Sequence, residues 1–162
     1  MTGMIHIVEA DLSLSGHQDA VLLMTDVYSR DSFGDGKPLA PEAWGNLIAG
    51  LRSHPTTMIF LAFAGDRPVG IATCFTGFST FAARPLVNIH DLAVIPEFRR
   101  RGVGRSLLEA VERKARSLGC CKITLEVLDR NERALGAYKA FGFARYALQE
   151  GAGDAIFMTK AL

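Results

Sequence analysis

The chain reads as one mixed α+β domain over residues 1–162. Two kinds of segment point there: short alternating or β-branched stretches that suit strands, and longer stretches with apolar residues at helical spacing. Their order is the third observation. Two helices precede an antiparallel meander, followed by strand, helix, strand, helix and a closing hairpin, the make-up of a mixed sheet with flanking helices.

The elements follow in turn. Met4 to Ala10 alternates Ile5 and Ile7 with polar residues, a short first strand. From Ser15 to Tyr28, Ala20, Leu23, Met24 and Val27 share one helical face. Residues 29–41 form a loop by their Gly and Pro content, and Pro41 suits the first turn of a helix carrying Trp44, Leu47, Ile48 and Leu51 to Ser53. Thr57 to Ala64 is an apolar strand, and Gly65-Asp66-Arg67-Pro68 turns it into a second, Val69 to Phe78.

After an irregular connection, the central strand Leu86 to Ile95 is stopped by Pro96. A long helix opens at Gly104, with Leu107, Leu108, Val111, Ala115 and Leu118 on one face and Glu109, Glu112, Arg113 and Arg116 as i,i+4 pairs opposite. Gly119 is placed to end it. Cys121 to Leu128 alternates as a strand, and Asp129 to Phe141 is a helix presenting Ala134, Leu135, Tyr138 and Phe141. Phe143 to Leu148 and Ala155 to Lys160 form the closing antiparallel pair around Gly151-Ala152-Gly153. The sum is about seven strands and about four helices.

Composition narrows the functional classes. Hydrophobic content of 49% and charged content of 22% suit a soluble globular domain with a real core. A net charge of +1 argues against a nucleic-acid binder, which carries a broader basic excess. Cys74, Cys120 and Cys121 show neither a disulfide framework nor zinc-ligand spacing, so no metal is expected. Met1 to Glu9 lacks a leader pattern and no apolar run reaches membrane-spanning length, so a reducing cytoplasm is the expected location.

The turn after the central strand carries the chemistry. Gly102 and Gly104 leave the N–H groups that open the long helix unshielded, with the helix dipole behind them. Arg99, Arg100, Arg101 and Arg105 crowd the same mouth with charge that does not titrate away. This is a receptacle for a phosphate-bearing ligand. It is no P-loop, because no Lys follows the second glycine. It is no dinucleotide fingerprint either, because bulky Leu107 stands near the place of a third glycine.

Arg99-x-x-Gly102-x-Gly104 after a strand resembles the acetyl-CoA signature of the GCN5-related N-acetyltransferase (GNAT) family. Asn131-x-x-Ala134-x-x-x-Tyr138-x-x-x-Gly142-Phe143 resembles the second block of that family, at its usual distance. The resemblance runs from Ile5 to Leu162 and implies the acyl-CoA N-acyltransferase fold, a mostly antiparallel sheet with a splayed parallel pair at its centre. Here the pair would be Leu86–Ile95 and Lys122–Leu128.

It also implies an N-acetyltransferase that moves an acetyl group from acetyl-CoA to a primary amine by direct attack in a ternary complex, with no metal. Leu92, Ala93 and Val94 would pair with the pantetheine, and Arg99, Arg100, Arg101, Gly102, Val103, Gly104, Arg105 and Ser106 would hold the pyrophosphate. Asn131 would reach the pantetheine from the far side, and Tyr138 would be the general acid for the departing thiolate. Homodimers are frequent in the family, and a homodimer is the matching expectation.

The base is less determined. His90 is the candidate, since histidine titrates near neutral pH, with Glu126 or a water as alternatives. On a regular strand Asp91 points away from His90 and takes no part with it, an expectation that a strand bulge would overturn. Tyr28 and Phe33, with Trp44 nearby, are candidates to wall the acceptor pocket, and Asp31 and Asp35 to attract a cationic amine. Gly136 within the last helix is read as a point of close packing, with room for the pantetheine arm as the alternative. A non-catalytic CoA-binding sensor and a nucleic-acid module using the arginines are the other classes; Tyr138 argues against the first and the charge balance against the second.

Overall fold

The computed structural model describes residues 4–162, so the first three residues of the expected 1–162 domain, and of the Met1–Glu9 stretch, lie outside the described residues. The structure divides into two compact units, one ending at Leu128 and the other spanning Asp129–Leu162.

In the first unit β1 (Ile5–Glu9), α1 (Ser15–Arg30), α2 (Pro41–Ser53), β2 (Thr57–Ala64), β3 (Arg67–Ser79), β4 (Arg84–Val94), α3 (Val103–Ser117) and β5 (Ile123–Leu125) follow in order, with a 3-10 turn at Pro96–Phe98. The strands form one sheet in sequence order, antiparallel except where β5 runs parallel to β4. Consecutive strands pair because short turns join them, whereas the β4–β5 pair needs α3 as its crossover.

Helix α3 packs on β1 to β4, while α1 packs against β3 and β4 and carries α2. The apolar stripe of α3 explains its seating: Val103, Leu107, Leu108, Ala110, Val111 and Ala115 are all buried, each large one contributing about 1.5–3 kcal/mol. It comes down closest at Gly70 of β3, where a Cβ would stand 3.1 Å from Leu107 and 3.2 Å from Val103. That close approach sets the start of α3 beside the end of β4. On α1, Ala20, Val21 and Met24 are buried, whereas Leu23, expected on the same face, is exposed.

The second unit holds α4 (Glu132–Phe141). Asn131 caps it by accepting the Ala134 N–H at 3.2 Å, and Gly142 ends it with φ 111°, a conformation that favours glycine.

Two expectations are corrected. The strand expected over Cys121–Leu128 is only Ile123–Leu125, and Phe143–Leu148 and Ala155–Lys160 form no ladder, so the sheet has five strands among the described residues, not about seven. The closing turn does form: Gly151 and Gly153 have φ 84° and 85°, and Arg145 meets Asp154 at 3.4 Å. Alternation marks side chains suited to a half-buried pleated surface without supplying the surface, and a lone hairpin is marginal in water. Ile156, Phe157 and Met158 accordingly remain exposed.

Candidate active site

The site begins where the parallel pair opens. β5 pairs only Ile123–Leu125 with Val87–Ile89, and the Asn88 amide reinforces this end by donating to Thr124 Oγ1 at 3.0 Å. β4 continues to Val94 without it. The break coincides with a β-bulge: Thr73 pairs with Asp91 and Cys74 with Ile89, so His90 is left over. A bulge bends its strand and raises the local twist, which ends a parallel ladder.

Past the bulge only one edge of β4 is paired. The Ile95 N–H donates to the Val69 carbonyl at 3.0 Å, so by alternation the polar groups of Ala93 also turn to β3, and those of Leu92 and Val94 to the open side. The Val94 carbonyl accepts from Arg99 Nε at 2.9 Å. The Val94 N–H and both Leu92 groups thus face the gap, a strand edge of the kind extended ligands complete. Of Leu92, Ala93 and Val94, then, Ala93 turns its backbone the other way.

The start of α3 lies next along the chain. Its N-terminus has no side-chain cap and no acid in the first turn; Gly102 sits at φ 81° and Arg100 at φ 58°. The first intrahelical bond is Ser106 N–H to the Gly102 carbonyl, so the N–H groups of Val103, Gly104 and Arg105 precede any helical acceptor. A Cβ on Gly104 would meet nothing nearer than Val94 Cγ2 at 3.9 Å, so the space above these donors is open. Non-glycine residues rarely adopt positive φ, and Arg100 does so where consecutive N–H groups converge.

The four arginines do different things. Arg100 is exposed at the mouth. Arg101 lies over the Phe98 ring, 5.2 Å from its centroid, a loose exposed contact. Arg105 pairs with Glu109 at 3.0 Å, an exposed i,i+4 bridge worth about 0.3–0.5 kcal/mol and easily exchanged. This replaces the expected Glu109–Arg113 pair. Arg99 turns inward: besides Val94, its Nη2 meets Asp31 Oδ2 at 2.5 Å, with the two side chains only 24% and 16% exposed.

The bulge overturns the expectation that His90 and Asp91 point apart. Both stand on the face that carries α1: the His90 ring is 5.7 Å from Phe75, edge-on, and Asp91 lies near Tyr28 of α1. Burial raises the Asp91 carboxyl, an effect the neighbouring His90 opposes. Burial likewise raises the Tyr28 phenol, helped by Asp91 and then Asp31. Asp31 is engaged with Arg99 and Asp35 with Lys37 at 3.3 Å, so of these carboxylates Asp91 is a half-buried one that faces no arginine or lysine bridge.

Tyr28 and Phe33 are half-buried at the end of α1 and just after it, whereas Trp44 is exposed on α2 and Glu126 is exposed one residue past β5. Asp91 and Phe75 are the residues sequence reasoning missed. Their only signal, a two-against-one mismatch between strands, is invisible until the strands are paired.

Cys74 is buried and its thiol is pushed up to about 12, and burial raises Cys120 as well. Neither is prepared to act as a nucleophile. In the second unit, Tyr138 makes an edge contact with Phe143 at 5.8 Å, and its carbonyl accepts from Phe143 N–H at 2.9 Å. A Cβ on Gly136 would meet no atom within 4 Å, which leaves the packing reading of that glycine without support.

A largely antiparallel sheet ending in one splayed parallel pair, with an uncapped helix start beside the gap, is the architecture of the acetyltransferase class of α+β folds. The comparisons agree. The sequence model of the Acetyltransferase (GNAT) family matches residues 22–143, and the chain belongs to that family.

Among curated relatives, a thialysine N-epsilon-acetyltransferase from Caenorhabditis elegans is 32% identical over 92 residues, 57% of each chain. The chain thus spans little more than half the length of that relative. The crystal structure of an aminoglycoside acetyltransferase from an uncultured soil metagenomic sample, in complex with trehalose, superposes with a TM-score of 0.77 at 16% identity, covering 98% of this chain and 96% of that one. The structure of AAC(6')-Iy in complex with the bisubstrate analog CoA-S-monomethyl-acetylneamine gives 0.75 at 19%, covering 99% and 100%. At these identities the likeness is one of fold. Among the described residues no helix is long and apolar enough to cross a membrane.

Proposed function

We propose that the protein is an N-acetyltransferase that moves an acetyl group from acetyl-CoA to a primary amine. One observation carries this reading: the free edge of β4 at Leu92 and Val94 leads directly into an uncapped helix start flanked by exposed arginines. Such an arrangement suits an extended chain ending in a diphosphate. The pantetheine amides complete the strand edge, and the diphosphate takes the N–H groups from Gly102 to Arg105, with the Arg100, Arg101 and Arg105 side chains. Named relatives that act on thialysine and bind a CoA bisubstrate analog support the same choice.

In the reaction the amine lone pair attacks the thioester carbonyl, the C–N bond forms and the C–S bond breaks. The Val94 N–H, facing the gap, is the donor for the carbonyl oxygen. His90 takes the proton of the amine, directly or through water, on the face it shares with Asp91 and Tyr28, where a half-buried carboxylate favours a cationic acceptor. By the family resemblance alone, Tyr138 returns a proton to the thiolate and Asn131 helps hold the pantetheine. Glu126, exposed beyond β5, is a poorer candidate for the base. Tyr28 and Phe33 wall the acceptor side. The cysteines, none disulfide-bonded, fit a cytoplasmic enzyme, and the family resemblance suggests a homodimer.

Calorimetry with CoA, followed by thiol release from acetyl-CoA over a panel including thialysine, spermidine and sisomicin, tests this. Binding with turnover of at least one amine is the expected result. Binding without turnover of any amine points to the sensor; no heat with CoA, while another phosphorylated metabolite titrates tightly, overturns the reading.

A further inference from the structure

Arg99 opens the diphosphate motif yet is the one arginine of the mouth that is fully committed elsewhere. Its Nε donates to the Val94 carbonyl at 2.9 Å, and its Nη2 to Asp31 Oδ2 at 2.5 Å. A planar fork can span a carbonyl and a carboxylate at once, which a lysine cannot. The pair is more than three-quarters buried on both side chains, so it is far less screened than Arg105–Glu109.

What it grips is the connection from α1 to α2, and that connection is tightly built. Asp31 Oδ1 accepts the Phe33 N–H at 3.0 Å, and the Asp31 carbonyl accepts the Gly34 N–H at 2.9 Å. The chain folds back so closely that a Cβ on Gly34 would stand 2.0 Å from the Tyr28 carbonyl oxygen. At the far end Leu39 N–H donates to Asp26 Oδ1 at 2.9 Å, and Ser29 Oγ to the Lys37 carbonyl at 2.7 Å. This loop carries Phe33 and folds back on Tyr28 at the end of α1, and Arg99 ties it to the end of β4.

We propose that Arg99 is a positioning residue, which through Asp31 holds the acceptor-side loop in register with the Val94 end of β4, and is not a ligand of the diphosphate. The inference rests on the acetyltransferase reading and deepens it. Held this way, Tyr28 and Phe33 keep a fixed distance from the peptide beside which the thioester lies. Releasing the loop leaves the helix start, Arg100 and Arg101 as they are. A misplacement of about 1 Å is enough to cost on the order of a hundred-fold in rate.

The test compares Arg99→Gln, Asp31→Asn, their combination and Arg100→Ala. With acetyl-CoA and the panel amine that the wild type turns over, Arg99→Gln and Asp31→Asn should each lower kcat/KM for the amine ten-fold or more, chiefly through KM. The double variant should be no worse than the worse single one. Calorimetry should find CoA affinity within about two-fold of wild type in all three, whereas Arg100→Ala weakens it. A merely structural bridge would lower thermal stability without this split between amine and CoA.

Should Arg99→Gln lose CoA affinity as Arg100→Ala does, Arg99 is a diphosphate ligand and the proposal falls. It falls equally if Asp31→Asn, nearly isosteric and outside the motif itself, keeps the wild-type KM for the amine. Where no panel amine reacts, hydrogen exchange at Phe33 and Gly34 in the CoA-bound protein decides the matter: faster exchange in Arg99→Gln supports the clamp, and unchanged exchange overturns it. Failure of wild-type CoA binding would instead strike the acetyltransferase reading itself.

Discussion

Replacing the two glycines of the helix start separates the demands of folding from those of binding. Gly102 sits at φ 81° with nothing within 4 Å of an added Cβ, so alanine there meets no clash but a strained backbone. The left-handed conformation costs an L-residue about 1–2 kcal/mol, and the stiffer unfolded chain returns less than about 1. Gly102→Ala should therefore lose about 1 kcal/mol, or about 2–4 °C in Tm for a chain of this size. Gly104 has ordinary helical backbone and its Cβ would lie 3.9 Å from Val94, an easy contact. Gly104→Ala should gain up to about 1 kcal/mol from helix propensity.

Gly104→Glu should gain at least as much in the ligand-free protein, since a carboxylate in the first turn adds about 0.3–1 kcal/mol against the helix dipole. The same carboxylate stands where the diphosphate is expected, so CoA affinity should drop ten-fold or more while Tm rises. Differential scanning calorimetry without ligand and titration with CoA read the two effects. If Gly104→Ala lowers Tm as far as Gly102→Ala does, the space above the helix start is not open. If Gly104→Glu binds CoA like the wild type, the anion does not lie there.

Three further outcomes are expected from the proposed function and the structure. Tyr138→Phe should lower kcat ten-fold or more with little change in CoA affinity, and an unchanged kcat would remove Tyr138 as the acid. His90→Ala should remove the limb of the pH–rate profile that falls toward acid, because a base works only when deprotonated; persistence of the limb in stopped thiol-release assays would exclude His90. Burial raises the Asp91 carboxyl, so its ionised form opposes folding: this contribution is most favourable below the ordinary carboxylate range and is lost as pH rises through the raised value. Asp91→Asn should then stabilise the fold more at pH 7 than at pH 3, by urea titration, and an equal gain at both would show that burial does not disfavour the ionised form of Asp91.

The boundaries of β2 and α2 were legible residue for residue, because each is bracketed by local signals: a run of apolar residues ended by Gly65, and Pro41 at a helix start. The helix start was legible too, since Gly102, Gly104 and the arginines lie together in one short stretch. The bulge at His90 was not. It arises from a count between two strands 17 residues apart along the chain at Thr73 and His90, and neither strand carries a local mark of it.

By itself, then, the sequence determined what repetition and short-range chemistry can encode: the helices, the meander, the two motifs and the family they resemble. Tertiary structure alone decided which groups meet. It put His90 and Asp91 on one face, turned Arg99 away from the anion mouth to Asp31, and left the residues after Phe143 without a ladder. The reason is physical: periodicity records which side of its own element a residue faces, whereas strand register and the reach of a guanidinium depend on partners many residues away.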